Sequence, residues 1–292
     1  MIQSMTGFGK ATAEFSKKKV TIEVKSLNSK QLDLSARIPS IYKEHELNIR
    51  SLIARRLERG KIEFAIYIEN TGKETTSQIN QNILEGYYHQ IVDASDKLHI
   101  AQPTDWFQVL LRLPDVLKYE AQEADEEEWN LVLETINKAL DQLIEFRKQE
   151  GKMLENLFEQ KLENISNLLS DIEQYEGERI EKVKTRIVEA LQKIENFDYD
   201  KNRFEQEMIY YIEKLDINEE KSRLTNHIKY FTETMKDPSG QGQGKKLGFI
   251  AQEMGREINT TGSKSNHAQM QQIVVQMKDE LEQIKEQVLN VL

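Results

Sequence analysis

Glu253 and Glu257, four residues apart with Arg256 between them, are the residues of this 292-residue chain whose types and spacing point most directly to chemistry. The apolar stripe Leu247, Ile250, Met254 and Ile258 predicts a helix over Leu247 to Ile258, and on it the two carboxylates stack one turn apart. Like charges at that spacing repel by roughly 0.2–0.5 kcal/mol, and Gly255 in the helix interior costs up to about 1 kcal/mol more. A merely solvated helix has no need of such an arrangement. Paired carboxylates can hold a hard cation through oxygen ligands, and Arg256 beside them can meet a phosphate. The same three side chains also fit a Glu-Arg-Glu surface network.

Downstream, Asn259, Thr260, Thr261, Gly262, Ser263, Lys264, Ser265, Asn266 and His267 form a run without a large apolar side chain between two strongly patterned helices. Its amides, hydroxyls and lysine can donate to phosphate and sugar oxygens, or it can be an ordinary polar connection with Gly262 as a helix C-cap. Upstream, Glu219, Arg223 and His227 recur at i, i+4 and i+8 with Glu220 on the neighbouring row, a face suited to acid–base work. If Leu224, Ile228 and Phe231 pack against Leu247, Ile250 and Met254, the Glu220/His227 face and the Glu253/Glu257 face border one cleft. Asn28, Lys30, Asp33 and Arg37 just after a strand, and Arg55, Arg56, Arg59 and Lys61 near a helix end, are able to contact a nucleic-acid backbone, or simply to form a solvated basic face. The loop Asp237-Pro238-Ser239-Gly240-Gln241-Gly242-Gln243-Gly244 lacks the Gly-Lys-Ser/Thr ending and the preceding strand of a phosphate cradle, so it reads as a hinge and no nucleotide cofactor is expected.

The elements that must position these groups divide the chain. Val20, Ile22 and Val24, and then Ile62, Phe64, Ile66 and Ile68, alternate with polar residues as half-buried strands do, and Leu32 to Arg37 is a third strand stopped by Pro39. Between them Leu47, Ile49, Leu52, Ile53 and Leu57 predict a helix closed by Arg55, Arg56 and Arg59 with Gly60 at C′. From about Ile79 the pattern is helical, broken near Pro103 and at Leu113-Pro114-Asp115. Beyond Glu126, Phe158, Leu162, Ile165, Leu169 and Ile172 keep near-heptad spacing along an extended arm reaching to Ile194. Phe204, Met208, Tyr211 and Leu215 form a further stripe, and Asp216 with Glu219 resembles the capping box that opens the next helix. Met270, Val274, Met277, Leu281, Ile284, Val288 and Val291 form a coiled-coil seam that needs a partner, for which the arm supplies a matching stripe in the same chain. The expectation is an α+β fold, with an N-terminal mixed sheet domain over 1–155 and a mostly helical domain with the long arm over 156–292.

Composition narrows the classes. A hydrophobic fraction of 38% supports a core in each part, and 31% charged residues with only 13 Gly and 4 Pro favour long exposed helices. The absence of cysteine excludes disulfides, a thiolate nucleophile and a Cys-based zinc site. The net charge of −10 conceals an asymmetry: residues 1–70 hold 13 Lys and Arg against 8 Asp and Glu, and the acidity lies in the helical remainder, including the run Glu123 to Glu128. The opening residues lack the basic and apolar regions of a leader, and no apolar run approaches the roughly 20 residues of a membrane span, so a cytoplasmic protein with no membrane contact is expected.

Several words of the sequence together resemble the YicC/YloC family. In the first half they are Met1-Ile2-Gln3-Ser4-Met5-Thr6-Gly7-Phe8-Gly9, Glu23-Val24-Lys25-Ser26-Leu27-Asn28 and Arg59-Gly60-Lys61. In the second half they are Leu111-Arg112-Leu113-Pro114, Glu219-Glu220 with Arg223-Leu224 and His227, and above all Gln252-Glu253-Met254, Arg256-Glu257-Ile258-Asn259-Thr260 and Ser263-Lys264. The resemblance spans essentially the whole chain. It implies a bacterial cytoplasmic endoribonuclease that uses a divalent cation, commonly Mn²⁺ with Mg²⁺ as the alternative, and assembles into a ring-like homo-oligomer, a hexamer. Three positions depart from the family pattern: Gly248 where Asp is frequent, Gly255 where Asn is usual, and Ser29-Lys30 where His-Arg is common. His267 stands where Asp is frequent and is not counted as a ligand.

The expected activity is therefore metal-dependent cleavage of single-stranded or structured RNA, in RNA turnover or small-RNA regulation. The alternatives are an RNA-binding adaptor that presents RNA to another nuclease, and a helical scaffold. The catalytic candidates are His227, Glu253, Arg256, Glu257 and Lys264; the metal candidates are Glu220, Glu253 and Glu257; the RNA contacts are Asn28, Lys30, Arg37, Arg59, Arg223, Asn259, Thr260 and Ser263.

Overall fold

The computed structural model describes residues 2–15, 18–70, 78–118, 125–193, 201–237 and 242–292. Strands β1 (Gly7–Phe15), β2 (Lys18–Leu27), β3 (Leu32–Arg37) and β4 (Gly60–Asn70) form one sheet in the order β1-β2-β4-β3. β1, β2 and β4 pair antiparallel, whereas β3 lies parallel to β4 because helix α1 (Glu46–Leu57) carries the chain across between them. The alternation seen in the sequence sets the faces: Val20, Ile22 and Val24 of β2 and Ile62, Phe64 and Ile66 of β4 point inward onto Ile49, Ile53 and Leu57 of α1.

The fourth strand, β1, is a correction to the sequence reading, which had three. Its inward positions are Gly9, Ala11 and Ala13, too small to raise an apolar signal. They are small because helix α4 (Glu126–Gln192) lies directly on the strand: a Cβ on Gly9 would stand 2.0 Å from the Ala139 carbonyl oxygen. A second correction concerns the end of α1. The left-handed residue there is Glu58, at φ 53, and Gly60, at φ 128, opens β4 instead of closing the helix.

After the sheet, β5 (Gln78–Ile79), α2 (Gln81–Leu98), α3 (Trp106–Leu110) and β6 (Leu117–Lys118) form a small unit closed by the β5–β6 ladder. The 67-residue α4 follows, about 100 Å of helix. Its first part, through Val132, Ile136, Leu140 and Leu143, completes the core under the sheet. Its heptad stripe Phe158, Leu162, Ile165, Leu169 and Ile172 enters a second core, so the expected boundary at 155/156 falls within one continuous helix that serves both.

Helices α5 (Lys201–Leu215), α6 (Asn218–Lys236), α7 (Gln243–Lys264) and α8 (Ala268–Val288) complete the chain. The α8 seam from Met270 to Val288 is buried within the single chain against α4 and α7. Two local readings change. Residues Asn259 to Lys264 continue α7 instead of forming a connection, with Gly262 buried inside the helix against Val274. Asp216 accepts from the Asn218 backbone N–H, while Ile217 holds the N-cap position of α6, so no capping box forms. The sequence expectations for the run at Glu123, the arm's last residues near Ile194 and the loop at 238–241 lie outside the described residues. Among the described residues no helix is long and apolar enough to cross a membrane.

The C-terminal tail closes the molecule on the sheet end. Met5 N–H donates to Asn290 O at 2.8 Å, Leu292 N–H to Gln3 O at 2.9 Å, and Ser4 bridges Val291. Beneath this junction Arg147 of α4, only 2% exposed, donates to the carbonyls of Leu57, Arg59 and Met5 and to the Ser26 hydroxyl. Burial pulls its guanidinium down to about 10, with Glu58 opposing the shift. One of its acceptors, Leu57 O, lies at the C-terminal end of α1, where the helix dipole favours a cation.

Candidate active site

Helices α6 and α7 run side by side in opposite directions, packed through Leu224, Phe231 and Met235 against Leu247, Ile250, Met254 and Ile258. The packing supposed from the sequence is thus present. Each helix is finished by a side-chain amide from the next element. Gln243 Nε2 donates to Thr234 O and Asp237 O, and Gln271 Nε2 to Gly262 O and Ser265 O, satisfying carbonyls that a helix end leaves open. Neither amide was singled out in the sequence, because its acceptors lie on another element.

On α7 the residues Lys246, Phe249, Glu253, Glu257, Thr260 and Lys264 recur at three- and four-residue steps along the side that borders α6. On α6 the facing row is Glu220, Arg223, His227 and Tyr230. Two cross-helix contacts pin these rows together. At one end Lys264 Nζ stands 2.7 Å from Glu220 Oε1 and also donates to Asp216 O at 2.9 Å. At the other, Lys246 Nζ lies 5.0 Å from the centroid of the Tyr230 ring. His227, half-buried, lies on α6 between these two contacts.

The two carboxylates of that turn differ. Glu257 is 9% exposed, whereas Glu253 is half-buried and paired with Arg256 Nη1 at 2.8 Å, with Arg256 itself exposed. Glu220 is 4% exposed; one oxygen takes the Lys264 ammonium, and the other, Oε2, is enclosed without a hydrogen-bond partner among the described residues. A buried oxygen of this kind asks for a ligand or a proton. Among the described residues no group of three or more His, Asp or Glu side chains stands close enough to enclose a metal ion alone.

The other sequence-marked residues are placed as follows. Arg223 is exposed and ion-paired with Glu219. Asn259 and Ser263 are exposed and Thr260 half-buried, but the hydroxyls of Thr260 and Ser263 donate back to Arg256 O and Thr260 O of their own helix. Asn28 Nδ2 donates to Leu289 O at 2.6 Å and Arg59 Nη2 to Val291 O at 2.8 Å, so both fasten the C-terminal tail. Arg59 thereby stands near the N-terminal end of α7, because a Cβ on Gly244 would meet the same Val291 oxygen at 2.3 Å. Lys30 and Arg37 are exposed at the two ends of β3 and are not gathered into the groove. Gly248 faces α8, its Cβ position 3.7 Å from Val288 Cγ1, away from the Glu253 row. His267 is buried, stacked on Tyr175, with Lys182 Nζ 2.9 Å from its Nε2.

What the sequence reading passed over is the aromatic and basic end of the groove. Phe249 is 57% and Tyr230 45% exposed, and Lys245 Nζ sits 5.9 Å from the Phe249 ring centroid. The Lys245/Phe249 pair at i, i+4 was a legible signal. The Lys246/Tyr230 pair joins two helices and was not.

A family model described as endoribonuclease YicC-like, N-terminal region, matches residues 2–156, and one described as endoribonuclease YicC-like, C-terminal, matches residues 172–292. The chain is similar to a protein of Clostridioides difficile (strain 630) named "Probable endoribonuclease YicC", 33% identical over 301 residues and covering 100% of both chains. It is also similar to a protein of the same name from Haemophilus influenzae, 29% identical over 300 residues with 99% of each chain covered.

Proposed function

The chain belongs to the YicC-like endoribonuclease family, and on that premise we propose that it cleaves RNA internally, single-stranded or structured, in the α6/α7 groove with the help of a divalent cation. The observation that supports this reading is the side-by-side packing of α6, which bears His227, against α7, which bears Glu253, Arg256 and Glu257, fastened at one end by the Glu220–Lys264 pair. Mn²⁺ is the favoured cation and Mg²⁺ the alternative. Glu253 and Glu257 would hold it, with phosphate oxygens and water completing its shell, and the chemistry it would supply is positive charge at the phosphate; Glu220, expected from the sequence as a third donor, does not join these two carboxylates in one cluster.

The chain's own residues divide the remaining work. Arg256, exposed at the groove lip, exchanges Glu253 for a phosphate oxygen and binds it through its fork of N–H donors. His227 moves the proton at its imidazole nitrogen, taking it from the attacking oxygen or giving it to the leaving one. Lys264 holds Glu220 in place and keeps the ends of the two helices in register. A cyclic phosphate on the product identifies the ribose 2′-hydroxyl as the nucleophile, and a 5′-phosphate identifies water. Assembly into a ring-like hexamer in the cytoplasm, with a role in RNA turnover or small-RNA regulation, belongs to the same proposal.

The test is cleavage of an end-labelled structured RNA with Mn²⁺, with Mg²⁺ and with a chelator, for wild type, Glu253→Gln and Glu257→Gln. Loss of cation-stimulated cleavage in both variants with unchanged melting is expected. Full activity in both would refute the placement of the site. Retained RNA binding with no cleavage under any condition would favour the adaptor.

A further inference from the structure

We infer that Phe249 and Tyr230, with Lys245 and Lys246, form a stacking platform for the unpaired bases of single-stranded RNA at the N-terminal end of α7. This rests on the ribonuclease reading and deepens it by naming the substrate class.

Both rings stand on highly polar helices and are left about half in solvent, at 57% for Phe249 and 45% for Tyr230. Each has a lysine ammonium over it, Lys245 at 5.9 Å from the Phe249 centroid and Lys246 at 5.0 Å from Tyr230. Aromatic faces beside cations are what single-stranded nucleic acid requires: the base stacks on the ring and the phosphate meets the ammonium. Charge agrees with this occupant. The chain as a whole carries −10, yet Lys245 and Lys246 are exposed beside the two rings and Lys229 is exposed next to Tyr230. Negatively charged RNA is therefore drawn to this face of an acidic protein.

Position ties the platform to the chemistry. Phe249 and Glu253 are one turn apart on the same row, about 6 Å along the helix. A base stacked on Phe249 thus belongs to a nucleotide next to the phosphate at Glu253, and Tyr230 extends the platform away from His227 along α6. Duplex RNA keeps its bases within its own stack and cannot offer them to these rings, so the platform selects unpaired segments.

The test measures binding by fluorescence anisotropy in chelator, with a short labelled oligouridylate and with a duplex RNA of equal length, and a gel to verify intact probe. Phe249→Ala and Tyr230→Ala are expected each to weaken oligouridylate binding about 5- to 150-fold and duplex binding little. Phe249→Trp and Tyr230→Phe, which keep a ring, are expected to bind like wild type. Unchanged oligouridylate affinity in both alanine variants, or an equal loss on the duplex, overturns the platform; if wild type cleaves RNA in either case, the ribonuclease reading stands without it. Wild-type protein that binds and cleaves neither RNA overturns both.

Discussion

The Glu220–Lys264 pair is the point where stability and the groove's geometry meet, and removing one partner tests both. In Lys264→Met the Glu220 carboxylate, 4% exposed, stays buried while its ammonium partner is gone. Breaking a buried ion pair from one side typically costs about 3–5 kcal/mol. The Lys264 side chain is 27% exposed, so water already screens part of the interaction, and a loss of about 2–3 kcal/mol is the better expectation. At about 2–4 °C per kcal/mol for a body of this size, the melt should fall by roughly 4–12 °C. Glu220→Gln/Lys264→Met removes both charges and should recover most of that loss, giving a favourable coupling of about 1–3 kcal/mol in the double-mutant cycle. Thermal melts followed by helical circular dichroism on the four proteins measure it. A Lys264→Met protein that melts with wild type, or a double variant whose losses simply add, would refute the pair as the fastener of α6 to α7. Cleavage by the double variant then separates the roles: restored folding without restored activity shows that the charges themselves serve the groove.

Two further outcomes concern the scaffold. Gly9→Ala places a Cβ 2.0 Å from Ala139 O and 2.9 Å from Leu143 N, both backbone atoms that must move, so a loss of about 1–3 kcal/mol is expected by chemical denaturation. Gly86→Ala in α2, with nothing within 4 Å, should instead leave stability unchanged or raise it by up to about 1 kcal/mol; equal effects of the two would contradict the close approach of α4 to β1. Leu281→Ala, at a position 2% exposed in the seam between α8 and the chain's own helices, should cost about 2–5 kcal/mol without altering particle size in light scattering. Smaller particles at an unchanged melting temperature would move that seam to a subunit interface.

The sequence by itself determined whatever depends on local period. Alternation at Val20–Val24 and Ile62–Ile68 gave two strands and their inward faces, and heptads gave the arm and the α8 seam. Three- and four-residue spacing placed Glu253 and Glu257 on one row of one helix, because a side chain's direction along a helix follows from its position number alone. Only the tertiary structure decided what depends on elements distant in sequence. β1 was hidden because close packing on α4 requires glycine and alanine where an apolar signal would otherwise stand. The run from Asn259 to Lys264 is helical despite its polarity because Thr261 and Gly262 are buried in tertiary packing, Gly262 against α8, and Gln271 caps the end, support that no local propensity records. The pairings of Lys264 with Glu220 and of Lys246 with Tyr230 follow the same rule. A charge or a ring is neutralised or covered by whichever group the fold brings near, and the separations of 44 and 16 residues are set by how α6 lies on α7.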